Sequence, residues 1–237
     1  MTTYCDDHRR VAQALMSQPA LSEAKLLALI RPATAAQAEA GEHDRSRLKA
    51  FVDVVNEQLR PLGLEITKRK SESDGERMYA LLSFVDVPPT RDKPELQLLF
   101  MQAIAGEVFT STDGCISSTD ALHLADGLPC KTTSTQAQSM LTKLIGDGWL
   151  EDAGFGHVCL STRCIMEMES YLKRHYPGYV LSCPLCNDLV VRGEPCADCG
   201  NERYHRPCLR EYIQKVGAKM CTQCGSQLTP APADRAG

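Results

Sequence analysis

Residues 183–224 read CPLCNDLVVRGEPCADCGNERYHRPCLREYIQKVGAKMCTQC, and eight of them are cysteine or histidine, in four similar pairs. The pairs are Cys183 and Cys186, Cys196 and Cys199, His205 and Cys208, and Cys221 and Cys224, each with two residues between its members. That spacing turns the chain tightly enough for both side chains to reach one tetrahedral ion, with zinc–sulfur distances of about 2.3 Å. Eight ligands serve two Zn2+ ions and leave no open coordination position, so the metal is structural rather than hydrolytic. A segment of this size buries little apolar surface by itself and needs such staples. Zinc supplies about 10–16 kcal/mol in small zinc peptides. Spacing alone leaves two pairings open: sequential fingers (183/186/196/199 with 205/208/221/224), or an interleaved sharing of the pairs.

The rest of the chain is ordinary in bulk. With 237 residues it is long for one domain, and 43% hydrophobic and 24% charged residues describe a globular protein. It has no run of about 18 apolar residues, so no membrane span is expected. The N-terminal MTTYCDDHRR is polar and acidic, unlike a signal or transit peptide. Of twelve cysteines, seven fall between Cys183 and Cys224, while Cys5, Cys115, Cys130, Cys159 and Cys164 stand singly. That distribution favours metal binding in a reducing compartment over a disulfide framework. The five single cysteines read as small buried filler. The formal net charge is -4, and two zinc ions on seven thiolates take it to about -7. DNA contact is therefore expected to be weak or indirect.

Upstream, two blocks repeat one order. In the first, residues 7–18 carry Val11, Ala14 and Leu15, Leu21–Ile30 carries Leu26, Leu27 and Ile30, and Arg45–Leu59 carries Leu48, Phe51, Val52 and Val55, all at helical spacing. Pro61 and Gly63 stop the third helix, and LEITKRK, SESDGE and MYALLSFV read as a hairpin. VPPTRDKP, residues 87–94, is a stiff linker. In the second block Leu96, Leu99, Phe100, Ala103 and Ile104 define one helix, and a short helix runs from Thr119 to Gly127. A third begins at Thr133 or Ser134 and stops at Gly146. GWLED, GFG and HVCLS form a hairpin, followed by a helix at 162–176. Three helices and a hairpin, twice, give tandem winged helices, with the step Gly146-x-Gly148-Trp149-Leu150 marking the second. The fold class is mainly α with small β hairpins. The expected domains are winged helices at 1–90 and 91–178, a two-zinc module at 179–228 and a disordered tail at 229–237.

The ligand order resembles the cross-brace of RING-type domains. That resemblance implies that Cys183, Cys186, His205 and Cys208 form site one, and Cys196, Cys199, Cys221 and Cys224 form site two. It also implies that Leu185, inside the first pair, and Tyr212, four residues beyond Cys208, flank a groove for a ubiquitin-conjugating enzyme. A helix over 209–216 carries Leu209, Tyr212, Ile213 and Val216 at i, i+3, i+4 and i+7. Leu209, Ile213 and Val216 are expected to pack between the two sites. A PHD finger, a chromatin reader, shares the ligand order. It usually has tryptophan where Lys219 stands, and no aromatic cage for methyl-lysine is evident. Two positions depart from active RING ligases: Thr222 replaces a frequent proline, and Gly225 replaces a basic linchpin. Activity that is weak or dependent on a partner is the consequence.

Tandem winged helices followed by CPLC, CADC, HRPC and CTQC, with Tyr212 downstream, resemble the Nse-one (non-SMC element one) family of the SMC five/six complex. The resemblance covers nearly the whole chain. It implies a nuclear, chromosome-associated subunit acting in DNA repair, beside a MAGE-type winged-helix protein and a kleisin. It also implies RING-type E3 ubiquitin transfer by positioning a charged conjugating enzyme, with no covalent catalytic residue. The alternative is a non-catalytic subunit whose zinc domain stabilises the assembly. His123 and His157 read as ordinary helix and wing positions. Lys68-Arg69-Lys70, balanced by Glu72, Asp74 and Glu76, reads as a solvated turn. Lys143 and Lys131 are too few for a DNA-reading helix, so the winged helices read as protein-binding surfaces.

Overall fold

The computed structural model describes residues 4–18, 20–30, 42–83, 95–216 and 220–228; the linker at 87–94, the tail at 229–237 and the Lys219 position lie outside them. The chain divides into two compact units. The first comprises Met1–Ser71 and Glu76–Pro89, the second Glu72–Gly75 and Thr90–Gly237.

The first unit runs α1 (Asp6–Ser17), β1 (Ala20–Ser22), α2 (Glu23–Ile30), α3 (Glu42–Leu59), β2 (Leu64–Lys70) and β3 (Arg77–Ser83). Val11 and Leu15 on α1, Leu26, Leu27 and Ile30 on α2, and Leu48, Val52 and Val55 on α3 point inward at three- and four-residue spacing. They close over Ile66 and Tyr79 of the sheet, whose order is β1-β3-β2 with antiparallel pairing throughout. Gly63 takes φ 74°, which lets the chain reverse from α3 into β2. Burial, with the Glu23 carboxylate nearby, pushes the Tyr79 phenol up to about 12.

Buried Asn56 holds α3 to the sheet. Its amide donates to the Ile66 carbonyl at 3.0 Å, and its oxygen accepts the Ile66 N–H at 2.7 Å. Asn56→Ala strands two buried backbone groups, each costing about 1–3 kcal/mol. A loss of about 2–4 kcal/mol is expected in urea titration. A loss below about 0.5 kcal/mol contradicts this account.

The second unit begins with α4 (Glu95–Thr110), β4 (Cys115–Ser117), α5 (Ser118–His123), α6 (Ser134–Gly146), β5 (Leu150–Gly154), β6 (His157–Leu160) and α7 (Thr162–His175). Its sheet order, β4-β6-β5, repeats that of the first unit. α4 buries Phe100, Met101, Ile104, Ala105, Val108 and Phe109, while Leu96, Leu98 and Leu99 are half-buried. Thr133 caps α6 reciprocally with Gln136, and Ser161 caps α7 through the Cys164 N–H. Gly146 ends α6 and Gly148 takes φ 71°, which drops Trp149 into the core. The fold is thus mainly helical, with two winged helices and a small zinc-type module.

That module contributes β7 (Glu194–Pro195), β8 (Arg203–Tyr204) and α8 (Arg206–Val216). Leu189 and Val191 belong to the core of the second winged helix. The approach is close: a Cβ on Gly114 (φ 67°) would lie 2.4 Å from the Val191 carbonyl oxygen.

Some expectations need correction. β1 and β4 add a third strand to each hairpin. Ala20–Ser22 is strand, so α2 is shorter than 21–30. Cys5 and Cys130 are exposed, not filler, whereas Cys159 and Cys164 are buried. Cys115 lies opposite Cys159 across β4 and β6, and Arg192 donates to the Cys159 sulfur at 3.1 Å. The turn after Lys68 is not simply solvated, since Arg69, Ser71 and Glu72 are all buried.

Candidate metal centre

Three of the four ligand pairs are built alike. The residue after the second cysteine donates its N–H back to the carbonyl of the first: Asn187 to Cys183 at 2.8 Å, Gly200 to Cys196 at 2.9 Å, Gly225 to Cys221 at 3.0 Å. Each takes a left-handed conformation, with φ of 63°, 64° and 70°. These are glycine and asparagine positions for steric reasons. Gly225 therefore closes the last turn for a steric reason of its own. The remaining pair, His205 and Cys208, lies at i, i+3 at the start of α8. His205 stands immediately before the helix, where its carbonyl accepts the Leu209 N–H at 2.9 Å, and Cys208 follows in the first turn.

The eight ligand atoms gather into two groups, Cys183, Cys186, His205 and Cys208, and Cys196, Cys199, Cys221 and Cys224, each within 4.8 Å. A tetrahedral zinc ion requires sulfurs about 3.8 Å apart and a sulfur–nitrogen separation of about 3.6 Å. Cys196 and Cys224 sulfurs are 3.7 Å apart, and those of Cys199 and Cys221 are 3.9 Å apart. Nδ1 of His205 lies 3.3 Å from the Cys186 sulfur and 3.9 Å from that of Cys208. These separations suit two zinc ions. The first pair groups with the third and the second with the fourth, so the interleaved cross-brace holds and sequential fingers do not.

Among the donors the protons are already unequal. A hydrogen bond with Cys208 holds the Cys183 thiol down, to about 3, and the same bond pushes Cys208 up. Burial alone lowers His205, but hydrogen bonds with Cys183 and Glu72 outweigh it and raise the ring to about 11. A bound zinc ion would stabilise the thiolate forms of all the cysteines.

Each site has its own packing. Around site two, Tyr204, Leu209 and Leu228 are buried with Cys196 and Cys221, and Ile213 packs against them. Leu185 is half-buried and touches both clusters. Tyr212 is half-buried on α8, while the Val216 side chain lies outside the described residues. Thr222 also has a structural cause. Its hydroxyl donates to Glu202 at 2.8 Å, and its N–H donates to the Tyr204 hydroxyl at 3.2 Å. Proline there would remove that N–H. His123 and His157 are exposed, and neither belongs to a metal group among the described residues.

Comparison with known proteins agrees. The family described as Nse1 non-SMC component of SMC5-6 complex matches residues 8–92 and 103–168. The chain belongs to this family. A RING-like domain matches residues 183–224. The non-structural maintenance of chromosomes element 1 homologs of Pongo abelii and Homo sapiens are each 31% identical over 232 residues, covering 94% of this chain and 84% of theirs. A solved structure titled Nse1-Nse3-Nse4 complex matches with a TM-score of 0.81 and 28% identity, covering 98% of this chain and 100% of the other. The resemblance read from the ligand order and the helix order is therefore the family itself.

Glu72 was missed by sequence reasoning. Its carboxylate accepts from the N–H groups of Val191 and Arg192 and lies 3.0 Å from Nε2 of His205. No local pattern announces it, since its partners are more than a hundred residues away.

Proposed function

We propose that this protein is the RING-type E3 ubiquitin ligase subunit of a nuclear, chromosome-associated SMC five/six complex acting in DNA repair. Its winged helices, with limits near 1–90 and 91–178, dock a MAGE-type partner beside a kleisin, as Nse3 and Nse4 accompany Nse1 in the related solved complex. The observation that carries the reading is the two-site cross-brace at 183–224, set behind two winged helices in a chain of this family. Catalysis is by positioning: the module holds a charged conjugating enzyme, and no residue here bonds to ubiquitin. Leu185 and Tyr212 are the proposed contacts, and both are half-buried. Phe155 on the second wing is 82% exposed, which supports a partner-facing surface there.

The test is discharge of ubiquitin from a panel of charged conjugating enzymes by the complex with its MAGE-type partner. Leu185→Ala and Tyr212→Ala are expected to lower discharge by about 5–30-fold, the range of one or two interface anchors, with zinc content unchanged. No discharge by the unmodified complex with any enzyme would favour the non-catalytic assembly reading, which Thr222 and Gly225 support. Gly225→Arg gives a second arm. It supplies the basic side chain at a strain cost of about 1–2 kcal/mol, and a several-fold gain in discharge is expected. An unchanged rate in a zinc-replete variant counts against linchpin control.

A further inference from the structure

We infer that Glu72 is an outer-shell positioning residue for zinc site one, fixing His205 as a ligand from 133 positions away in the chain. Glu72 opens the turn between β2 and β3, and by its contacts Glu72–Gly75 groups with the second unit. Its side chain is 4% exposed, and that of His205 is 5% exposed.

The two carboxylate oxygens divide their work. Oε1 accepts the Val191 N–H at 3.0 Å and lies 3.0 Å from His205 Nε2. Oε2 accepts the Arg192 N–H at 2.7 Å. Nε2 is also 3.0 Å from the Leu189 carbonyl. Both neighbours of Nε2 are acceptors, so Nε2 keeps its hydrogen, and the proton that the metal-free ring holds on Nδ1 is the one a zinc ion would replace. Nδ1 is the atom that faces Cys186 and Cys208. One buried side chain thus fixes the histidine tautomer and the orientation of its ring. It also pins the Leu189–Arg192 segment that follows the first ligand pair. A carboxylate or carbonyl on the far nitrogen of a ligating histidine is the usual way its direction and basicity are set. The same carboxylate restores hydrogen bonds to two backbone donors that would otherwise be buried without partners.

A consequence separates the two sites. Site two has four cysteines and no histidine, so Glu72 has no ligand to orient there. Losing Glu72 should loosen the Cys183, Cys186, His205 and Cys208 site and spare the other. This inference rests on zinc occupying both sites. If the unmodified full chain binds fewer than two ions, the metal reading fails before Glu72 is tested.

The experiment uses the full chain loaded with cadmium-113 and, separately, with zinc. Cadmium NMR of the unmodified chain should give two resonances, one from the three-sulfur, one-nitrogen site and one from the four-sulfur site. In Glu72→Ala the first should shift or broaden while the second stays. Chelator competition should then show one zinc ion bound about 10–100-fold more weakly, the range for outer-shell changes. Glu72→Gln keeps one acceptor for Nε2 but sets an amide donor against one of the backbone N–H groups. It should fall between Glu72→Ala and the unmodified chain, and it serves as the milder variant should Glu72→Ala fold poorly. Two unchanged resonances with unchanged zinc affinity would overturn the inference. So would equal loss at both sites in Glu72→Gln, because that marks general destabilisation rather than orientation of His205.

Discussion

Stripping both zinc ions from the full chain with a chelator is expected to unfold the segment from Cys183 to Cys224 and leave the first unit folded. Beyond Leu189 and Val191, which pack in the core of the second winged helix, the segment has little else to hold it: two two-residue strands and the eleven-residue α8. Its buried clusters are partly made of the ligands themselves, Cys183 and Cys208 at one site and Cys196 and Cys221 at the other. Without the ions those sulfurs lose the bonds that gather them, worth about 10–16 kcal/mol in zinc peptides. Limited proteolysis should cut between Cys183 and Cys224 after chelation. The core of the first unit contains no ligand residue, so its melting should persist. A chelated segment that stayed protease-resistant would show that packing alone suffices. The two sites should also differ. Cys183→Ser disturbs site one, next to Leu189 and Val191, which belong to the second winged helix's core. Cys196→Ser disturbs site two, whose cluster shares no residue with that core. The first change should therefore lower the melting temperature of the second unit more than the second does. Acid acts in the same direction as chelation. Ligand thiolates bind zinc only when deprotonated, so the stabilisation is present at neutral pH and is lost as pH falls.

The parts visible in the sequence were those written in local spacing. The eight ligands lie in one stretch, and their types and intervals specify two tetrahedral ions. Helical stripes such as Leu48, Val52 and Val55 predict buried faces because side chains three and four apart share one side. The parts that stayed hidden depend on remote partners. Three residues such as Cys115–Ser117 are too short to display alternation, and they are strand only because β6 lies beside them. Glu72 sits among charged neighbours and resembles any solvated turn acid; only the folded chain brings Val191, Arg192 and His205 to it. The choice between interleaved and sequential metal sites was hidden for the same reason. Spacing fixes what one pair can hold, and the approach of distant pairs decides which of them share an ion.

Trp149→Ala should be the most damaging single core substitution in the second winged helix. The side chain is 2% exposed and is among the largest that are fully packed. It sits where α6 gives way to β5. Its backbone N–H donates to the Leu144 carbonyl at 2.9 Å and its backbone carbonyl accepts the Ser161 N–H at 3.1 Å, which fixes the direction in which the ring enters the core. The Arg163 guanidinium lies over the ring, 4.3 Å from the centroid. Removing the indole leaves a cavity lined by rigid neighbours, at about 3–5 kcal/mol. The lost stacking adds about 0.5–2 kcal/mol. Against a typical domain stability of about 5–15 kcal/mol, that total brings the unit close to unfolding at 37 °C. Urea titration followed by circular dichroism is the measurement, because the variant has no tryptophan left to report fluorescence. Trp149→Phe keeps much of the volume and an aromatic face, so it should recover more than half of the loss. A double-mutant cycle with Arg163→Met isolates the ring–guanidinium contribution. A coupling below about 0.3 kcal/mol would assign the whole effect to the cavity. A loss below about 1 kcal/mol for Trp149→Ala would mean that the core collapses to fill the space, and that Trp149 is not the residue that locks the second wing onto its helices.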